Sequence, residues 1–215
     1  IATNEEKILN VYTARHYNSD KKIYKIFKQE TGIMVREVSS KDQVLLERLK
    51  SEGSASPADV IILADAARLW RAEEFGFFQQ HGSTKVIESV PKQFQSKKNW
   101  VGLTTRARVI VVNKRRHGSK KIESYSDLAN PAFKNQFCSR SSTHPYMLSL
   151  VSSLMINLGE KQTEEWAKKV VSNQARTPRG GDTDQIRAVA SGECGIAVTN
   201  SYYLVRLMRS TNPKD

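Results

Sequence analysis

The chain has 215 residues, of which 39% are hydrophobic and 26% charged, and this ordinary globular composition excludes a fibrous or disordered class. Its 34 Lys and Arg residues exceed its 22 Asp and Glu residues, giving a formal net charge of +12. That excess raises the question of a nucleic acid, an acidic membrane surface or another acidic partner. No apolar run approaches the roughly 18 residues that cross a bilayer, and the polar start at Ile1 predicts that any signal peptide was removed or left out.

In the first half of the chain, apolar runs alternate with amphipathic segments. Strands are predicted in KILNVYTA, IMVREVS and ADVIILA. The helices between them are predicted in DKKIYKIFKQETG, stopped by Gly32, and in KDQVLLERLKSEG, ending at Gly53. Two right-handed βαβ units imply a mostly parallel sheet. A further helix is predicted in AARLWRAEEFGFF.

The second half begins with WVGLTTRARVIVVNK, which predicts a long β-rich segment that crosses a polar stretch and could carry the chain from one lobe to another. The basic loop NKRRHGSKK follows, and then two helices in PYMLSLVSSLMINLG and TEEWAKKVVSNQA. Asp182 is predicted to cap the next helix, with Gln185 three positions on in a capping-box arrangement and Gly192 at its end. GIAVTN is then a short strand that leads into the sequence SYY.

Tyr202 and Tyr203 are neighbours at this predicted strand-to-helix junction. Neighbours on a regular helix or strand point apart, so only such a junction lets two phenols converge on a small target. Asn200 or Ser201 is the predicted N-cap, which puts both tyrosines in the first turn, where free N–H groups and the helix dipole favour an anion. A phenol is neutral at pH 7, but a helix N-terminus and a multivalent cation both favour phenolate. Such hard oxygen ligands suit Fe(III).

Two other junctions offer a phenol. The strand NVYTA ends at RHYN, so His16 and Tyr17 lie at the carboxyl end of the first sheet, where open α/β folds place ligands. Tyr146 follows Pro145 and the stretch SRSST, so it is also predicted at a helix N-terminus. Three separate junctions therefore offer a phenol.

The chain resembles the periplasmic ferric-ion-binding proteins of bacterial iron ABC transporters, the transferrin-like group of extracellular solute-binding proteins. The resemblance spans nearly the whole chain and rests on the stretches VYTARHYNSD, ADVIILADAARLWRAEEFGFF, NWVGLTTRARVIVVNK, SRSSTHPYMLSLVSSL and EEWAKKVVSNQARTPRGGDTDQIRAVASGECGIAVTNSYYLVRL.

This resemblance implies an α/β, type II-like periplasmic binding protein with two lobes, mostly parallel sheets flanked by helices, and a ligand cleft between the lobes. Residues 1–103 would form the first lobe, and residues 104–215 the hinge crossover and second lobe. The implied function is to capture one iron ion, Fe(III), and deliver it to an inner-membrane ABC permease. The resemblance further implies a periplasmic monomer that is no enzyme, binds no nucleic acid and meets the membrane only through that permease.

Carried over by position, the implied iron ligands are Tyr17 from the first lobe and Tyr146, Tyr202 and Tyr203 from the second. His16 matches a position that ligates iron in some relatives and stands aside in others. Three phenolates neutralise Fe(III) and a fourth makes the shell negative, so nearby cations become useful. Arg106 matches a family arginine near the site, whereas Arg140 and Arg206 lie close in sequence to ligand tyrosines and compete with a role as surface ion pairs. Some relatives add carbonate or another small anion.

The chain departs from this family at its end, because relatives usually continue well past the paired tyrosines. Both lobes are therefore expected to be incomplete between Ile1 and Asp215. The spacing of Cys138 and Cys194 alone fits one disulfide as well as two buried thiols. In the oxidising periplasm that the resemblance implies, the two would pair.

Three alternatives compete with ferric binding. The same scaffold could hold Fe(II) or another small ligand. The basic loop offers phosphate contacts to a nucleic acid or other polyanion through Lys114, Arg115, Arg116, Lys120 and Lys121, although no aromatic residues interleave with it. Ser141, Ser142 and His144 suggest nucleophilic catalysis only weakly, because no GxSxG elbow is present, and His144 is expected to be a solvent-facing loop residue.

Overall fold

Strands and helices alternate along the chain largely as the sequence predicts. The computed structural model describes residues 7–15, 17–96, 99–117 and 122–212. The chain divides into two units, Ile1–Leu103 and Thr104–Asp215, and each is treated by itself below.

The first unit is built on a three-stranded parallel sheet. β1 (Ile8–Thr13) lies in its centre, between β2 (Met34–Ser39) and β3 (Val60–Ile62). The crossovers contain α1 (Asn18–Thr31) and α2 (Asp42–Glu52), so the predicted pair of βαβ units is confirmed. After β3 come α3 (Ala66–Glu74), α4 (Thr84–Ser89) and the antiparallel pair β4 (Gln95–Ser96) and β5 (Trp100–Val101).

Burial in the first unit explains these elements. Tyr12 from β1 packs with Leu45 and Leu49 from α2, and Leu46 packs with Leu63 and Ala72. The spacing of the three leucines places them along one side of α2, which holds the helix against the sheet. Gly32 ends α1 with a φ of 73°, a left-handed conformation that favours glycine, as the sequence predicts.

The second unit contains a mixed three-stranded sheet in the order β6-β8-β7. β8 (Ile196–Asn200) is central, antiparallel to β6 (Arg108–Val112) and parallel to β7 (Phe137–Cys138). Its helices are α5 (Lys114–His117), α6 (Pro145–Leu158), α7 (Glu160–Ser172), α8 (Asp182–Ser191) and α9 (Ser201–Met208). Short 3-10 helices span Tyr125–Ala129 and Pro131–Phe133. The two helices and the strand GIAVTN predicted from the sequence are thus confirmed.

Helices cover both faces of this second sheet. Every residue of β8 is buried, and alternate side chains of a strand point to opposite faces. Ile196 and Val198 pack with residues of α6 and α7, whereas Ala197 packs with Ala188 and Val189 of α8. The Cys138–Cys194 disulfide lies in the α8 cluster, so the pairing implied by the family resemblance is confirmed.

The predicted β-rich segment that crosses a polar stretch is present as β5 and β6, on either side of residues 102–107. Two local predictions are wrong. The basic loop starts as helix α5, since the Asn113 side chain accepts the N–H groups of Arg115 and Arg116 and so caps it; Lys120 and Lys121 lie outside the described residues. Asp182 is not an N-cap but the first residue of α8, and Gly181 occupies the cap position.

Candidate metal centre

The start of α9 brings Tyr202 and Tyr203 together. The buried strand β8 ends at Asn200, which is the N-cap of α9, and the two tyrosines are the second and third residues of the helix. Their ring centroids lie 4.3 Å apart at an interplanar angle of 34°. The predicted strand-to-helix junction is therefore confirmed, and both tyrosines lie in the first turn, where a helix presents free N–H groups.

The start of α6 carries Tyr146 in the same way. Pro145 is the first residue of the helix and His144 is its N-cap, because His144 Nδ1 accepts the N–H of Tyr146 at 3.2 Å. The imidazole also packs edge-on against the Tyr146 ring, with centroids 4.6 Å apart. The expectation of a solvent-facing His144 is wrong: it is a half-buried cap whose ring nitrogen is used by the backbone.

Three guanidinium groups surround the Tyr146 ring. The guanidinium carbons of Arg106, Arg140 and Arg108 lie 4.6, 5.1 and 5.6 Å from the ring centroid. Such distances are within the range of cation–π contact. Because Arg106 is exposed while the Arg108 and Arg140 side chains are only 11% and 15% exposed, the ring lies between a solvated cation and two desolvated ones.

A buried carboxylate holds two of these arginines. Asp182, whose side chain is fully buried, accepts from Arg108 Nη1 at 2.9 Å and from Arg140 Nη1 at 3.2 Å. Burial lowers the pKa of Arg108, an effect that the charge of Asp182 opposes, and a guanidinium stays protonated in proteins. Asp182 therefore offsets part of the positive charge that Arg108 and Arg140 bring to the side of the Tyr146 ring.

Hydrogen bonds connect the surroundings of Tyr146 to Tyr202. Arg108 Nη1 also donates to Asn200 Oδ1 at 3.2 Å, and Asn200 Nδ2 donates to the Tyr202 hydroxyl at 3.4 Å. Arg108 and Asn200 are direct partners across the β6–β8 ladder. The structure thus brings the tyrosines of α6 and α9 into one network through a cross-strand pair.

Tyr203 has an arginine of its own. The Arg206 guanidinium lies 5.2 Å from the Tyr203 ring centroid, and its Nη2 donates to Thr183 Oγ1 at 2.9 Å. Arg206 is therefore held over the ring by the second residue of α8. The competing hypothesis from the sequence was a surface ion pair of Arg206. Among the described residues, Arg206 instead donates to the Thr183 hydroxyl.

Tyr17 lies in the other unit, at the carboxyl end of β1. It is the N-cap residue of α1, and the guanidinium carbon of Arg15 lies 5.1 Å from its ring centroid. Arg15 forms two hydrogen bonds with Asp20, at 2.9 and 2.8 Å, and these lower the pKa of Asp20. Tyr17 thus also lies beside an arginine that a carboxylate fixes. His16, its neighbour and the fifth ligand candidate, lies outside the described residues.

The donor set determines what the site could hold. Within the described ranges no group of three or more His, Cys, Asp or Glu side chains is arranged to bind a metal ion. The phenol oxygens at the helix starts remain the candidate ligands predicted from the sequence, and they are hard donors that suit Fe(III). The nearby arginines can offset the negative charge that several phenolates bring to the ion.

The sequence pointed to Asn200 only as one of two possible helix caps, and it did not point to Arg108 or to the contacts of Asp182. One available signal was a charged residue at the start of the apolar run RVIVV, opposite a strand that ends in Asn. A buried charge needs a partner, so Arg108 predicts an acidic neighbour. The identity of this acidic residue depends on how α8 packs against the sheet, and hydrophobic periodicity alone does not predict that packing.

Residues that the sequence offered for polyanion binding and for nucleophilic catalysis form hydrogen bonds within the second unit. Arg116 donates to the backbone carbonyls of Gly192, Glu193 and Asn135, so one cation of the basic segment joins parts of its own unit. Ser141 Oγ forms a hydrogen bond with Thr143 Oγ1 at 2.8 Å. No described helix is long and apolar enough to cross a bilayer.

Comparison with known proteins identifies the family of the chain. Residues 55–214 match the family described as bacterial extracellular solute-binding protein. The chain is 47% identical over 210 residues to iron uptake protein A1 of Synechocystis, covering 97% of this chain and 58% of that protein.

Solved structures are similar over the same part. A Trichodesmium protein (IdiA, FutA) in complex with iron and citrate ligands is 43% identical, with a TM-score of 0.89. The ferric binding protein from Campylobacter jejuni is 42% identical, with a TM-score of 0.86. Each match covers 96% of this chain and 66% of the other, so the chain spans less than two thirds of the relatives' length. The predicted α/β binding-protein fold is confirmed.

Proposed function

This chain belongs to the bacterial extracellular solute-binding proteins, and on that premise we propose that it captures one Fe(III) ion through tyrosinate ligands. It hands the ion to an inner-membrane ABC permease and is a binding protein for uptake, not an enzyme. The single observation that carries the proposal is the pair of helix starts in the second unit. There Tyr146, Tyr202 and Tyr203 share one arginine-rich network.

The charge balance of this network supports a ferric cargo. Three phenolates carry the charge that balances Fe(III), and a fourth from Tyr17 makes the shell negative. Arg106, Arg108 and Arg140 lie beside the Tyr146 ring and supply compensating positive charge, part of which the Asp182 carboxylate offsets. The same positive charge can also hold a small synergistic anion such as carbonate. Fe(II) is a softer and less charged ion, so it gains less from phenolates.

The two units support a two-lobed arrangement of ligands. We assign residues 1–103 to the first lobe and residues 104–215 to the hinge crossover and second lobe, with Tyr17 supplied by the first and the other tyrosines by the second. His16 is a further candidate ligand beside Tyr17. A metal that binds groups of both lobes favours the closed state only through contacts that differ between the two states. Closure on iron then gives the permease a shape to recognise.

The names of the relatives support the cargo, and the description of the family supports the place of action. Iron uptake protein A1 and the ferric binding protein carry iron in their names, and the family is described as extracellular. We assign this protein to the periplasm, as a monomer that meets the membrane only through its permease.

Metal retention tests the proposal. The purified protein is stripped with a chelator and offered either ferric nitrilotriacetate in air or a ferrous salt without oxygen. It is then passed through gel filtration and its iron content is measured. We expect one Fe(III) per chain to be retained and Fe(II) to be lost. Retention of Fe(II) alone would mean that Fe(II), not Fe(III), is the cargo. Retention of neither ion would contradict the proposal.

A further inference from the structure

We infer that Asp182 is a positioning residue that couples the two tyrosine-bearing helix starts of the second unit. The inference rests on the proposed iron site but concerns a residue that is no candidate ligand. Asp182 fixes the arginines beside Tyr146 on one side and the backbone that leads to Tyr202 and Tyr203 on the other.

Its three contacts reach both helix starts. Arg108 and Arg140, both within 5.6 Å of the Tyr146 ring centroid, donate to the two oxygens of the carboxylate. The backbone N–H of Asn200 donates to Asp182 Oδ2 at 2.8 Å. Since Asn200 is the N-cap of α9, this bond fixes the residue from which the tyrosine-bearing turn starts. One carboxylate therefore sets the position of groups on α6 and α9.

Burial makes this arrangement specific. The Asp182 side chain is fully buried, and Arg108 and Arg140 are largely so. Within the described residues, the Nε atoms of both arginines are buried without a hydrogen-bond partner, and within those residues Arg140 donates to Asp182 alone, whereas Arg108 also donates to Asn200 and to the Val198 carbonyl. If Asp182 lost its charge, two buried cations would lose their counterion and would reorient or draw in water. The field at Tyr146 would change with them.

The backbone before α8 holds Asp182 in place. The N–H of Gly181 donates to Asp184 Oδ2 at 2.7 Å, which fixes the first turn of the helix. The next residue, Thr183, accepts from Arg206, the arginine over Tyr203. The first turn of α8 thus contacts the surroundings of all three tyrosines, although it contributes none of them.

The test uses Asp182→Asn, which keeps the shape but removes the charge and turns one acceptor into a donor facing N–H groups. Its matched control is Asp127→Asn, because Asp127 is another helix-start carboxylate of the same unit that accepts from Glu123 N and Ser124 N. The readouts are the wavelength of the phenolate-to-iron absorption band, the rate of iron release to a chelator, and the melting temperature. A merely structural residue would move only the last.

We expect Asp182→Asn to shift the band and to speed iron release by about 10- to 100-fold, the range for residues that orient metal ligands. Asp127→Asn should change neither. Arg140→Met is a milder variant that removes one of the two arginines bound to Asp182, and it should shift the band in the same direction. The combined Asp182→Asn, Arg140→Met variant should release iron no faster than Asp182→Asn alone, since the two act as a unit.

Unchanged release and band in Asp182→Asn would overturn the inference. If that variant does not fold, wild-type values in Arg140→Met would overturn it instead. Both results leave the proposed function intact, because the wild type still shows its band. A wild type without any band would remove the proposed function and this inference together.

Discussion

Arg108 and Asn200 lie directly opposite each other on β6 and β8, and the Arg108 guanidinium donates to the Asn200 side chain at 3.2 Å. This cross-strand pair joins a cation beside Tyr146 to the N-cap of the helix that carries Tyr202 and Tyr203. The site is therefore organised by the paired strands β6 and β8, whose main-chain positions are fixed by the ladder, more than by its loops.

Replacing Arg108 should destabilise the second unit strongly. Arg108→Met removes hydrogen bonds to Asp182, Asn200 and the Val198 carbonyl and leaves a buried carboxylate with one partner fewer. We expect a loss of about 3–5 kcal/mol in the free energy of unfolding, typical of breaking a buried ion pair. Urea denaturation measures it. The exposed Arg115→Met should stay within about 0.5 kcal/mol of the wild type, and equal effects of the two variants would count against a buried role for Arg108.

Gly180 should tolerate a methyl group less well than Gly32. Both have a positive φ, of 70° and 73°, but a Cβ on Gly180 would lie 2.6 Å from Asp184 Oδ2, whereas one on Gly32 would meet nothing within 4 Å. Gly180→Ala should therefore cost at least about 1 kcal/mol more than Gly32→Ala, as expected for forced overpacking. It should also weaken iron binding by moving the first turn of α8. Chemical denaturation and an iron titration of both variants measure these effects. Equal losses of stability and of iron binding in the two variants would contradict the prediction.

Asp127 should give the second unit a pH-dependent contribution to stability. Hydrogen bonds from the backbone of Glu123 and Ser124 lower the pKa of Asp127. A carboxyl group with a lowered pKa stabilises the fold above its unfolded value of about 4. The contribution is lost as the pH falls through the lowered value.

The corresponding measurement is the melting temperature of the wild type and Asp127→Asn between pH 6 and pH 2. The wild type should be more stable at pH 6, by about 0.3–1 kcal/mol for a carboxylate at a helix start. The difference should shrink toward pH 2. A difference that stays constant over this range would show that the charge of Asp127 does not contribute.

The disulfide should be a large part of the stability of the second unit. Cys138 and Cys194 are 56 residues apart, and closing a loop of that size restricts the unfolded chain by about 4 kcal/mol. Urea denaturation with and without dithiothreitol should reveal a loss of that order on reduction. A Cys138→Ala, Cys194→Ala variant should show no response to the reductant. If dithiothreitol also leaves the free energy of unfolding of the wild type unchanged, the disulfide does not contribute in this way.

Local signals in the sequence predict most of the elements. The stop at Gly32, the βαβ pattern of the first unit and the junction before Tyr202 each follow from periodicity and cap chemistry within a few neighbouring residues. The tyrosines are identifiable for the same reason, because a helix start can be recognised without knowing what packs against it. That the four tyrosines bind one ion together stays a prediction, which rests on the family resemblance.

The network around the tyrosines depends on contacts far apart in the chain, and these are not encoded locally. Asp182 reads as a helix cap because an acidic residue before an amphipathic segment usually is one. Its carboxylate instead meets Arg108, 74 residues away, once the sheet and α8 have packed. His144 likewise reads as a loop residue, although Pro145 after it marks a helix start that needs a cap.

The central claim is that tyrosinates hold the ferric ion, and one measurement addresses it most directly. The metal-stripped protein is titrated with chelated Fe(III) while the visible absorption is recorded, beside a Tyr202→Phe, Tyr203→Phe variant. Tyr12→Phe is the control, because burial and the nearby Glu52 raise the pKa of Tyr12 and keep that phenol protonated. A saturable phenolate-to-iron band in the wild type and the control, weakened or shifted in the double variant, is the predicted result. No band in folded wild-type protein, or one that the double variant leaves unchanged, would contradict the claim.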